Sequence, residues 1–149
     1  MRPCRIVLLM CLVLGFAVCG CTQPKPVSGA NADSTPAKAT LTVYYFHRTA
    51  RCPSCEKIEA LTQKAVQDGF AAQLAAGAMQ WRVVNIDEPQ NAHFETDYRL
   101  EAQSVVLSEM RDGKETRWKN LDKVWDLLSD DAAFVRYVQD EIRAYAQGG

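Results

Sequence analysis

Cys52-Pro53-Ser54-Cys55 lies between two segments of opposite character, and that placement constrains the chain more than any other feature. Thr42-Val43-Tyr44-Tyr45-Phe46 before it reads as a buried β-strand. Glu56-Lys57-Ile58-Glu59-Ala60-Leu61 after it reads as the start of a helix, with Pro53 at the first turn, where a missing N–H costs nothing. Two cysteines separated by two residues at such a junction can close a small disulfide ring or open to a dithiol. The first sulfur then sits among the free N–H groups of a helix N-terminus, which favour a thiolate and lower its pKa. A thiolate is the species that attacks disulfides. Cys52 and Cys55 are therefore expected to be a reacting pair in thiol–disulfide exchange.

The first twenty residues read as a separate element. Arg2 and Arg5 form a basic beginning, and Ile6 to Val18 is an almost unbroken apolar run, too short and too early for an ordinary spanning helix. It ends Val18-Cys19-Gly20-Cys21, which resembles the bacterial lipobox, whose cysteine is acylated and becomes the mature N-terminus. Cys21 fits that place behind small Gly20, whereas bulky Val18 precedes Cys19. The resemblance implies a signal peptide over 1–20, lipid at Cys21 and a domain held in the cell envelope outside the cytoplasm. In a double-membraned bacterium that is a membrane facing the periplasm, and Thr22 after the cysteine resembles cargo released to the outer membrane. The alternative is a simple secreted protein with Cys21 as a spare thiol.

Six cysteines in a secreted chain suggest a disulfide framework. Cys4, Cys11 and Cys19 leave with the signal, and lipidation occupies Cys21, so Cys52 and Cys55 remain as the pair that can oxidise. The chain has 17 Lys and Arg against 18 Asp and Glu; loss of Arg2 and Arg5 leaves 15 against 18. No basic stripe points to nucleic acid. Membrane attachment is expected from lipid at Cys21, not from surface charge.

Residues 21–40 hold Pro24, Pro26, Pro36 and Gly29 with no apolar period, and read as a flexible tether. Residues 41–149 read as one domain of ordinary size. Val43 to Phe46 predicts a first strand, Pro53 to about Phe70 a helix, and Gly69 and Gly77 bracket a weaker helical stretch. Trp81 to Ile86 predicts a second strand and Asn91 to Arg99 a short helix with Phe94 and Tyr98 on one face. Val105 to Met110 and Glu115 to Trp118 predict two strands about an Asp112-Gly113 hairpin. Leu121, Val124, Trp125 and Leu128 mark one amphipathic helical stretch. Phe134, Val138, Ile142 and Tyr145 mark another, opening at Ser129-Asp130-Asp131.

A helix between the first two strands makes them parallel, and the hairpin makes the last two antiparallel. The expected class is α/β: a mixed four-stranded sheet with helices on both faces. With CxxC after the first strand this resembles the thioredoxin superfamily. Val84-Asn85-Ile86-Asp87, Tyr98-Arg99-Leu100, Val105-Val106-Leu107 and Asp112-Gly113-Lys114 match that family's later landmarks in order. The resemblance implies a thiol–disulfide oxidoreductase with no cofactor and no metal, acting on protein thiols and disulfides of the envelope as a monomer.

Three positions depart from the family. Ser104 stands where a cis-proline is expected, and a non-proline cis bond costs about 2.5–4 kcal/mol, so that bond is expected trans. Phe46 stands where a buried acid lies six residues before the first cysteine, leaving His47, Glu56 or solvent to handle protons. Arg51 replaces a tryptophan beside the motif, and its charge favours a Cys52 thiolate. His47, five residues before Cys52, could do so as imidazolium. The supporting set is thus Arg51, His47, Ser104 and Pro53. Two rival functions remain: a thioredoxin-fold binding or scaffold protein with an inert disulfide, and a Cu(I)- or Zn(II)-handling module that needs ligands from a second chain.

Overall fold

Successive side chains of β1 (Thr40–His47) point into two different interiors, as a strand covered on both faces requires. Val43 and Tyr45 belong to the larger core, Tyr44 and Phe46 to the smaller. The computed structural model of the protein describes residues 39–148. The expected signal over 1–20, Cys21 and nearly all of the expected tether lie outside the described residues.

The central β1 pairs in parallel with β2 (Met79–Asn85) and antiparallel with β3 (Ser104–Arg111). β3 in turn pairs antiparallel with β4 (Lys114–Asn120), giving the order β2-β1-β3-β4. Helices α1 (Pro53–Ala75) and α3 (Asp131–Gln147) cover one face. There Ile58, Leu61, Ala65 and Val66 of α1 meet Phe134, Val138 and Ile142 of α3 above Val43, Tyr45, Val105 and Leu107 of the sheet. Each fully buried aliphatic side chain contributes roughly 1.5–3 kcal/mol over leaving it in water. On the other face the short α2 (His93–Asp97) and the turn after it close an aromatic core of Tyr44, Phe46 and Tyr98, with Phe94 packed against it. Tyr44 and Phe46 stack at 5.1 Å, and Phe94 and Tyr98, one turn apart, at 5.8 Å. This is the expected mixed α/β sheet with helices on both faces, a thioredoxin-like fold.

Several local features are explained by single residues. Asp130 caps α3 by accepting the Ala133 N–H at 2.9 Å. Asp112 and Gly113 both take positive φ, 52° and 75°, which the two-residue hairpin turn needs. α1 runs beyond Phe70 to Ala75, but Phe70 leaves helical geometry at φ −141°, ψ 27°, so the weaker second stretch is a kinked continuation of the first. Gly69 lies against α3: a Cβ there would fall 2.9 Å from Gln139 Nε2, whose amide donates to the Ala65 carbonyl at 3.1 Å. The Gln139 side chain can lie across α1 there because position 69 has no side chain.

The stretch Leu121 to Leu128 is not the expected amphipathic helix. It forms one 3₁₀ turn at Asp122–Val124 and then further tight turns. Leu121 leaves β4 with non-helical φ −93°, ψ 84°, and the chain must turn back to the Asp130 cap of α3. Leu121 and Val124 still bury in the main core, while Trp125 is left 37 % exposed with its indole N–H on the Gln103 carbonyl. The short helix expected from Asn91 is likewise a 3₁₀ turn at Pro89–Asn91 followed by α2. Among the described residues no helix is long and apolar enough to cross a membrane.

Candidate functional site

Cys52 caps α1. Its extended backbone (φ −114°, ψ 158°) is that of an N-cap, its carbonyl accepts the Glu56 N–H at 3.0 Å, and its Sγ accepts the Cys55 N–H at 3.1 Å. Pro53 is the first helical residue, where its fixed φ suits the turn. Cys52 and Cys55 form a disulfide with Cα atoms 5.0 Å apart. The two sulfurs are not equivalent. Cys52 is half-buried at the helix tip, whereas Cys55, one turn in, is only 2 % exposed. An incoming thiolate therefore has access to Cys52. On reduction, the Cys55 N–H and the positive end of the helix dipole already face the place where negative charge forms.

Below the disulfide stands Tyr45. Strand alternation turns its fully buried ring toward α1, and its hydroxyl donates to the Cys55 carbonyl at 2.7 Å. Burial pushes the phenol up to about 12, with Arg51 opposing and Glu59 adding to that shift, so Tyr45 stays a neutral donor at physiological pH. Phe46, in the position assigned to the missing acid, faces the opposite core and lies on the other side of the sheet from α1. The side chain that reaches the motif from this strand is thus Tyr45. Its alternation with Phe46 was the available sequence signal, needing only the face that α1 covers.

Two of the expected supporting residues gather on the same tyrosine. The His47 ring lies 6.0 Å from that of Tyr45, and its Nδ1 is 2.9 Å from the Arg48 carbonyl, which can only accept. The Nδ1 therefore carries the proton in that contact. The Arg51 guanidinium lies 5.9 Å over the Tyr45 ring and pairs with Glu59. Its charge is thus already engaged while the disulfide is closed. Glu59 stands four residues after Cys55 on the same side of α1 and reaches back toward residue 51. The neighbouring Lys57 is bound to Asp131 of α3 at 2.8 Å.

Ser104 opens β3 opposite Phe46, at the end of the sheet where β1 delivers the motif loop. Its hydroxyl donates to the Ala102 carbonyl at 2.8 Å, inside its own segment. It shares a cleft of about 280 Å³ with Arg99, Gln103, Asn120 and Trp125. Among the described residues no peptide bond is cis, so Ser104 is reached through a trans bond.

The loop that carries the motif is pinned from the side. Asp87 accepts the Thr49 N–H at 2.8 Å and pairs with Arg48 at 3.1 Å, and Arg48 also holds Glu95 of α2. The Thr49 N–H, ahead of Arg48, holds the Asp87 carboxyl below its usual range. Asn85 donates to the Thr49 hydroxyl at 3.0 Å. The Asn85-Ile86-Asp87 landmark therefore anchors residues 48 and 49. Among the described residues no group of three or more His, Cys, Asp or Glu is placed to hold a metal ion.

No protein-family model and no curated protein matches the sequence. Among solved structures the chain is similar to thioredoxin from Trypanosoma brucei brucei at 19% identity, over 70% of this chain and 76% of that one, with TM-score 0.41. It is similar to oxidised thioredoxin O2 from Arabidopsis thaliana at 18% identity, over 64% and 76%, with TM-score 0.39. Fasciola hepatica thioredoxin is similar at 20% identity, over 60% and 79%, with TM-score 0.35. The sheet order, the parallel β1–β2 pair and the helix that begins at the disulfide define the fold independently of these matches.

Proposed function

We propose that the protein is a membrane-tethered thiol–disulfide oxidoreductase working outside the cytoplasm. The observation that carries the chemical part is the asymmetry of the two sulfurs: an accessible Cys52 at a helix N-cap, joined to a Cys55 buried one turn inside. Starting from the disulfide, a partner thiolate attacks Cys52 Sγ, the Cys52–Cys55 bond breaks, and Cys55 leaves as a thiolate that takes a proton. A second partner thiol, losing its proton, attacks the partner sulfur of the mixed disulfide. Cys52 then departs as a thiolate stabilised at the helix tip, the partner is oxidised and the protein is reduced. In reverse, the Cys52 thiolate attacks a partner disulfide and Cys55 resolves it. The partner's reduction potential sets the direction.

Lipid at Cys21 supplies the anchor in this reading, with residues 1–20 as the cleaved signal and 21–40 as the reach between membrane and domain. Mass spectrometry of the mature N-terminus tests it: a diacylated or triacylated Cys21 is expected, and an unmodified Cys21 removes the anchor. For the chemistry, Cys55→Ser is expected to accumulate mixed disulfides with envelope proteins and Cys52→Ser to accumulate none. If Cys55→Ser traps nothing, Cys52–Cys55 is an inert bridge in a binding or scaffold protein.

A further inference from the structure

We propose that Glu59 is a positioning residue that tunes Cys52 by sharing Arg51 with it, releasing the guanidinium toward the sulfur when the disulfide opens. This deepens, and rests on, the oxidoreductase reading. With the disulfide closed neither sulfur is charged, and Glu59 is the anion that Arg51 contacts. Reduction creates a second anion one residue away along the chain. Arg51 carries five donors in a rigid fork, and the contact to Glu59 runs through Nη2. The remaining N–H groups are available to a thiolate at Cys52.

The geometry gathers the participants around the first two turns of α1. Cys55 donates its N–H to Cys52 Sγ, accepts the Tyr45 hydroxyl on its carbonyl, and lies one turn before Glu59 on the same face. The Tyr45 ring forms the floor under the guanidinium. Arg51 and Glu59 side chains are only 28 % and 26 % exposed, so solvent screens the pair less than an open surface pair. The other charged or titratable groups around the motif have partners or are exposed. From β1 and its loop, His47 contacts the Arg48 carbonyl and Arg48 is bound to Asp87 and Glu95. On α1, Lys57 is bound to Asp131 of α3, and Glu56 is exposed. Tyr45 stays neutral.

The test follows alkylation of Cys52 in the reduced full-length protein against pH, resolved by peptide mass spectrometry so that no other thiol contributes. Glu59→Gln, which preserves shape at a partly exposed position, is expected to lower the midpoint by about half a unit, and Arg51→Ala to raise it by a similar amount. The double variant is expected to coincide with Arg51→Ala alone, because Glu59 acts through Arg51. An unchanged midpoint in Glu59→Gln overturns the proposal. So does a downward shift that persists without Arg51, which makes Glu59 a plain repulsive charge. Alkylation needs no partner protein, whereas the oxidoreductase reading is tested by trapping in Cys55→Ser, so either can fail while the other stands.

Discussion

Two carboxylates, Glu59 and Glu109, are each held by arginine at opposite ends of the sheet, yet their surroundings assign them different work. Glu109 is buried at 6 % exposure near the start of β1, and its two oxygens are divided between Arg111 and Arg117. Arg117 is itself fixed by the Tyr145 carbonyl and lies 4.0 Å over the Tyr145 ring. Both carboxylate oxygens there are engaged, so the cluster braces β3, β4 and α3. Glu59 holds one nitrogen of one arginine, partly exposed, beside a bond that can open. The same chemistry is a brace where it is saturated and an adjustable contact where it is not.

The largest expected effect separates the two ends outright. Cys52→Ser should abolish disulfide exchange with a small-molecule disulfide while leaving the fold in place, because no buried contact at the Glu109 end involves the sulfur. Residual exchange comparable to wild type would erase the distinction between a working end and a braced one.

Next comes Glu109→Ala, which strips the partly exposed Arg111 and Arg117 of their shared buried partner and should cost about 1–2 kcal/mol in a denaturant melt. Exchange by the surviving folded protein should be unchanged. Desolvation pushes the Glu109 carboxyl up, but hydrogen bonds and charge from Arg111 and Arg117 outweigh it and hold the group below its ordinary value. Its folded pKa is thus depressed, so its stabilisation is present above the unfolded value of about 4.3 and is lost as pH falls through the folded one. Glu109→Gln should therefore flatten the acid limb of stability. A limb identical to wild type would show that Glu109 is not the brace described.

A smaller effect is expected of Tyr45→Phe, which removes the hydrogen bond to the Cys55 carbonyl and keeps the buried ring. About 1 kcal/mol of stability should be lost, with the Cys52 alkylation profile displaced as the guanidinium floor loosens. Smallest is Arg48→Ala. Its ion pairs to Asp87 and Glu95 are exposed and screened by solvent, so the change should be visible mainly as faster hydrogen exchange at the Thr49 amide if Asp87 is freed to move.

These contrasts also mark what the amino-acid sequence made legible. The strand before the motif, the helix after it, the hairpin at Asp112-Gly113 and the Asp130 cap follow from local periodicity and turn chemistry, and each formed where expected. The stretch Leu121 to Leu128 misled because apolar spacing alone does not reveal that a short connection returning to a fixed cap will fold as tight turns. At the site, the cysteines and Arg51 were visible because their chemistry is carried by residue type and adjacency. Tyr45 and Glu59 were not, since a strand tyrosine and a helix glutamate are ordinary until the sheet face and helix phase are known. Arg51 itself changed meaning for the same reason: adjacency placed its charge beside Cys52, but only the folded helix brought Glu59 to meet it.

The central claim is that Cys52–Cys55 is an exchangeable bond at a poised helix tip, and its reduction midpoint tests that most directly. Equilibration of the full-length protein against glutathione or dithiothreitol buffers, followed by thiol trapping of Cys52 and Cys55, gives the value. A midpoint within the span of exchanging CxxC proteins, about −270 to −120 mV, is predicted. A midpoint below about −300 mV, the range of structural disulfides, would contradict the account.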